Sequence, residues 1–272
     1  MVWCPARPRV PPGRGADPLC AHDPPLRTRP PLRTRAFRAT DDARAAPSAP
    51  AVRPRWFDRV VPASPTDWAA WHDDYRDPAS ALSRRLRVVQ DQIRDALPRH
   101  PRETVRVLSL CAGRGEDLIG VLRGYPHADL VKARLVERDA RNVRAMAAAA
   151  RLADLSLEIV QGDAANPGLY AGSAPADLVL LCGVLGNISD ADARRTVAAL
   201  PALCRTGGTV VWTRSRRPPD LTPEIRRWFT EAGFAERAFI APEGERFSVG
   251  AARFRGAPRA LGSAHLFTFI RY

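Results

Sequence analysis

The chain has 272 residues, 45% of them hydrophobic, and a formal charge of +13. No apolar run approaches the 18 or more residues that span a bilayer, and the first ten residues lack the unbroken apolar stretch of a secretory signal, so a cytoplasmic protein without a membrane partner is expected. The charge invites a nucleic-acid partner, but its distribution argues against one: residues 1–55 hold eleven Arg and four Asp (+7), leaving +6 for the other 217, with no basic cluster interleaved with aromatics.

Residues 1–55 also carry twelve of the 26 prolines. Such a segment cannot bury enough surface to offset the entropy of ordering, and it reads as a disordered Pro/Arg-rich tail. Trp56, Phe57, Trp68, Trp71 and Tyr75 then cluster within twenty residues, too aromatic for a linker. Residues 56–100 read as a helical cap. Within it Asp77-Pro78 suggests an N-cap followed by proline in the first turn. Leu82, Leu86, Val89, Ile93 and Leu97 recur at helical spacing until Pro98.

From residue 101 strand-like and helix-like pieces alternate. Strands are expected at Val105–Cys111, Ala133–Glu137, Leu155–Val160, Asp177–Cys182 and Thr209–Thr213, with helices at Arg114–Arg123, Asn142–Ala153, Asp190–Leu200 and 223–232. Asp139, Ser189 and Thr222 stand where they can cap the last three of these helices. Phe234–Ile240, Phe247–Phe254 and Leu266–Tyr272 follow with no helix between them, as an antiparallel meander would. The fold class is therefore α/β: a doubly wound, mostly parallel sheet, closed by an antiparallel C-terminal meander and preceded by the helical cap. The five cysteines (4, 20, 111, 182 and 204) form no C-x-x-C pair and no His lies at ligand spacing, so neither a disulfide framework nor a metal site is expected.

A parallel sheet binds its ligand at the carboxyl ends of its strands. The first expected strand ends in Cys111-Ala112-Gly113-Arg114-Gly115, a tight turn that lets a ligand approach backbone. The second ends in Glu137, followed by Arg138; a carboxylate there can accept from both hydroxyls of a ribose. The third is followed by Gly162-Asp163-Ala164, where an acid can accept from an exocyclic amine such as that of adenine. A dinucleotide fingerprint needs a third glycine, and in either register this chain has Leu118 or Glu116 instead. Glu116 and Asp117 also oppose a pyrophosphate at the helix start. They suit a cofactor with an ammonium and a sulfonium, and S-adenosylmethionine carries both.

With these features, residues from about Trp68 to Tyr272 resemble the class I methyltransferase family. The resemblance implies transfer of a methyl group from S-adenosylmethionine to a nucleophile on a small-molecule acceptor. It assigns Ala112, Gly113 and Gly115 to the methionine part, Glu137 to the ribose, Asp163 with Ala164 to the adenine edge, and Cys182-Gly183 to the floor beneath the sulfonium. Trp71–Tyr75 resembles an N-terminal lid, with Tyr75 over the cofactor. Ser109 and Cys111 stand where the family usually has an acid and a glycine; Asp117 or a carbonyl is then the remaining partner for the ammonium. Two other readings stay open: a methyltransferase-like module that binds without turnover, and a nicotinamide-dependent oxidoreductase. The residues assign no catalytic base, no particular acceptor and no oligomeric state.

Overall fold

The computed structural model describes residues 67–270, which belong to one compact unit. The expected tail and the aromatics Trp56 and Phe57 lie outside the described residues. A helical turn, α1 (Trp68–Trp71), runs into a 3-10 turn (His72–Arg76), and α2 (Ala81–Ala96) follows. Next come β1 (Val105–Leu110), α3 (Glu116–Leu122), β2 (Val131–Glu137), α4 (Ala140–Leu152), β3 (Glu158–Gln161) and β4 (Ala176–Leu181). The chain continues through α5 (Asp190–Ala199), β5 (Cys204–Ser215), α6 (Thr222–Glu231), β6 (Phe234–Ile240) and β7 (Phe247–Phe254).

The seven strands form one sheet in the order β3-β2-β1-β4-β5-β7-β6. The first five are parallel, and β7 runs antiparallel between β5 and β6. The strands read as continuous apolar runs because both faces are covered. On one face Val107, Leu135, Leu178, Leu180 and Val211 pack with Val89 and Ile93 of α2, Leu118 of α3 and Met146 of α4. On the other, Leu108, Leu110, Val179, Leu181 and Trp212 pack with Val197 of α5 and Ile225 and Phe229 of α6. Each fully buried Leu or Ile contributes about 1.5–3 kcal/mol to holding these layers together.

The helix starts show where local chemistry decided. Asp139 accepts from Arg141 N and Ser189 from Asp192 N, as their positions suggested. The α2 start differs from the expectation. Asp77 Oδ1 instead accepts from Ala79 N within a turn, and Ser80 caps the helix by accepting from Ser83 N at 3.0 Å. At α6 Thr222 is not the cap; Asp220 Oδ1 takes the Thr222 amide at 2.9 Å. In both cases a short side chain two residues upstream closes its own turn first.

The C-terminal pieces also part company. β6 and β7 pair, but 266–270 is not a third strand: both edges of β7 are already occupied, by β5 and β6. This segment instead crosses the loops after β3 and β4. It makes one isolated bridge, Phe269 to Ile188, and residues 271–272 lie outside the described residues. Among the described residues no helix is long and apolar enough to cross a membrane.

Candidate functional site

Register brings the strand ends level. Leu110 pairs with Val136, Glu137 with Gln161, and Ser109 with Leu180, so the residues that follow β1, β2, β3 and β4 meet above one edge of the sheet. A cavity of about 700 Å3 opens there. Of the expected residues, Cys111, Gly113, Glu137, Arg138, Asp163, Ala164, Cys182 and Gly183 line it.

The turn after β1 is held by its backbone. Cys111, Gly113 and Gly115 have φ of 56°, 58° and 69°, all left-handed. Gly113 needs the absence of a side chain twice over, because a Cβ would also lie 2.2 Å from His72 Nε2. Cys111 adopts the same region with a side chain, at a cost of about 1–2 kcal/mol. Glu137 ties this turn to β2. Its Oε2 accepts from Gly113 N and its Oε1 from Asp139 N, both at 2.8 Å. Burial raises the Glu137 pKa, and the two amides work against that rise by favouring the charged form.

At the β3 end Asp163 accepts from Ala165 N at 3.0 Å and meets His265 Nε2 at 3.2 Å. At the β4 end Gly183 N donates to Thr213 Oγ1 at 2.8 Å, and Asn187 Nδ2 donates to Gly183 O at 2.6 Å. Burial pushes the Cys111 and Cys182 thiols well up, so both stay protonated at neutral pH and are poor nucleophiles.

Four expected residues, Tyr75, Ala112, Gly115 and Asp117, are not among those that line the cavity. Ala112 donates its N–H to Val136 O, and Gly115 is packed toward Met146, whose Sδ would lie 3.0 Å from an added Cβ. Tyr75 turns to Arg85 rather than into the cavity; burial, with Arg85 opposing, raises its pKa to about 12. Asp117 caps its neighbour Leu118 N at 2.7 Å, and burial raises its pKa too. Ser109, where the family has an acid, is buried with its Oγ unpartnered.

Seven further residues line the cavity that the sequence did not assign to the cofactor: Trp71, His72, Asp139, Arg141, Asn142, Asn187 and Phe269. Some signal existed for six of them. Trp71 and His72 fall in the lid-like segment, Asp139 to Asn142 open the helix after Glu137, and Asn187 follows β4. Phe269 had none, because long-range bonds bring it there. Leu266 N donates to Ala165 O at 2.8 Å, Ile270 N to Asn187 O at 2.9 Å, and Thr196 Oγ1 to Leu266 O at 3.1 Å.

The strand order, the reversed β7 and the glycine turn facing an acid on β2 together define the fold of class I methyltransferases. Comparison with solved structures agrees. An O-methyltransferase family protein from Burkholderia thailandensis superposes with a TM-score of 0.54 at 19% identity, over 71% of this chain and 60% of that one. An O-methyltransferase from Nostoc punctiforme, so described tentatively, gives 0.51 at 16% identity over 68% and 59%. The 1,6-didemethyltoxoflavin-N1-methyltransferase of B. thailandensis, with 1,6-didemethyltoxoflavin and S-adenosylhomocysteine bound, gives 0.51 at 16% over 70% and 87%. The chain thus spans about 60% of the length of the first two. No protein-family model and no curated protein matches it.

Proposed function

We propose that this chain is an S-adenosylmethionine-dependent methyltransferase acting on a small molecule in the cytoplasm. Glu137 carries the reading. A buried carboxylate on the cavity wall can only accept hydrogen bonds, so it calls for a ligand that brings hydroxyl donors, as a ribose does. The residues fit the rest of that cofactor. Glu116 and Asp117 stand at the start of α3, where a charged acid would oppose a phosphate. The amide of Asn142 lines the same cavity and helps to favour the charged form of Glu137.

In this reading Glu137 holds the ribose, Asp163 and Ala164 edge the adenine, and Cys111, Gly113, Cys182 and Gly183 border the methionine part and the sulfonium. When bound, the cofactor supplies a methyl carbon activated by the sulfonium. The chain's contribution is positioning and dryness: an in-line approach at about 3–3.5 Å matters more than a dedicated base. Trp71, His72 and Phe269 line the cavity, where they would help to keep water from a bound cofactor. Nothing stands within 4 Å of an added Cβ at Gly183, which leaves an acceptor room to approach. Residues 56–100 act as the cap and 101–272 as the catalytic domain, with no nucleic-acid or membrane partner.

Calorimetry with S-adenosylmethionine, S-adenosylhomocysteine and NAD tests the cofactor. The first two should bind and NAD should not, and Glu137→Ala should weaken binding by about 1–3 kcal/mol. Binding of neither adenosyl compound would end the reading. Turnover against a panel of acceptors separates an enzyme from a module that only binds.

A further inference from the structure

A second cavity, of about 340 Å3, opens near the amino ends of β1 and β2, at the end of the sheet opposite to the glycine turn. Arg106, Lys132 and Arg134 line it. Parallel register sets Arg106 directly beside Lys132, so their side chains leave the sheet on the same face, and Arg134, two residues after Lys132, follows them there. Lys132 is the single lysine of the chain.

The three cations are not equivalent. Arg134 is fixed as structure: its Nε and Nη2 donate to the two oxygens of Glu158, and its Nη1 donates to Leu169 O and Ala171 O, all at 2.8 Å. Among the described residues neither Arg106 nor Lys132 has a carboxylate partner for its side chain. The adjoining acid, Asp177, accepts from the backbone N–H of Arg106 at 2.8 Å and is paired with Arg205. Like charges held side by side on neighbouring strands destabilise a sheet. Here they face a cavity, and an anion bound in it would relieve their repulsion.

We propose that this cavity is a binding site for a phosphoryl group, either free or as a small monoester. Such a dianion has several acceptor oxygens; Arg106 offers it a planar fork of donors and Lys132 a compact charge. Ser156 and Ser173 border the cavity, and their hydroxyls can donate to the remaining oxygens. The volume admits a phosphoryl group with a small substituent. No aromatic side chain lines the cavity to stack a base, which favours a small ester over a nucleic acid. This cavity shares no lining residue with the one at the carboxyl ends of the strands, so the assignment stands apart from the cofactor reading.

The single lysine makes a selective test possible. The full chain is treated with an amine-acylating reagent in inorganic phosphate, in glycerol 3-phosphate and in sodium chloride of equal ionic strength, and mass spectrometry compares Lys132 with a free lysine peptide in the same tube. The phosphates should slow acylation of Lys132 several-fold and leave the peptide unchanged. Stronger protection by glycerol 3-phosphate identifies a monoester as the ligand, and equal protection identifies the free ion. In thermal melts, phosphate at about ten times its dissociation constant should raise the melting temperature by about 3–6 °C. Lys132→Gln and Arg106→Gln should each raise the melting temperature of the free protein in phosphate-free, low-salt buffer, because they end the repulsion, while weakening phosphate about tenfold or more. Lys132→Arg, which keeps the charge, should retain the phosphate stabilisation. Equal acylation of Lys132 in phosphate and chloride, or phosphate stabilisation that neither glutamine variant weakens, overturns the site.

Discussion

Glu116 offers a direct check on how the glycine turn is built. It opens α3, and its Oε2 is buried without a partner. Burial raises its pKa from 4.5 to about 7; Arg114 pulls it down and Asp117 adds to the rise. The folded chain therefore holds this proton more tightly than the unfolded chain does. Its favourable contribution is complete below about pH 4.5 and is lost as the pH climbs through 7. At about 1.36 kcal/mol per unit the full shift corresponds to about 3 kcal/mol, but a half-buried carboxyl is screened by solvent, which brings the figure to about 1–2 kcal/mol. A carboxylate at a helix N-terminus gains about 0.3–1 kcal/mol from the helix dipole, which works the other way. Glu116→Gln should therefore leave stability nearly unchanged at about pH 5 and raise it by about 1 kcal/mol at about pH 8. Urea unfolding at the two pH values reads this as a midpoint shift of about 0.4 M at the higher one only. An equal shift at both would show that the side chain is not held against its own ionisation.

The turn and the sheet make further predictions. At Cys111, with φ 56°, glycine should hold stability within about 1 kcal/mol, whereas Cys111→Val should cost about 1–3 kcal/mol, since a β-branched residue tolerates that region worst. Thermal melts rank the three proteins, and a valine variant as stable as the original would contradict the backbone geometry. Gly113→Ala would place a methyl group on the His72 ring and should displace it, weakening S-adenosylhomocysteine at least tenfold; Gly113→Ala with His72→Ala should recover part of that loss in the same calorimetry. In β7 a Cβ at Gly250 would lie 2.2 Å from the Trp212 ring, which is stacked on Phe229. Gly250→Ala should therefore lose about 2–3 kcal/mol in urea unfolding followed by tryptophan fluorescence, and a smaller change would mean that the indole has another place to go.

The sequence alone was enough for the order of the elements, because apolar runs such as Val105–Leu110 and Ala176–Leu181 can be stable only when buried on both faces of a parallel sheet. It was also enough for the glycine turn, for Glu137 at the next strand end and for the caps Asp139 and Ser189, since each depends on neighbours a few residues away. At the start of α2 the spacing pointed to Asp77, whereas Ser80, three residues on, caps the helix. The tertiary structure decided which side chains face the ligand. Tyr75 and Asp117, expected at the cofactor, turn to Arg85 and Leu118, while His72 closes on Gly113 across forty intervening residues. The segment 266–270 reads as a strand by composition, yet β7 has no free edge for it. Its amides bond instead to Ala165 and Asn187, and only that docking brings Phe269 to the cavity. Local preference sets what a segment can be. Which of its groups find partners depends on surfaces that exist only once the sheet has assembled.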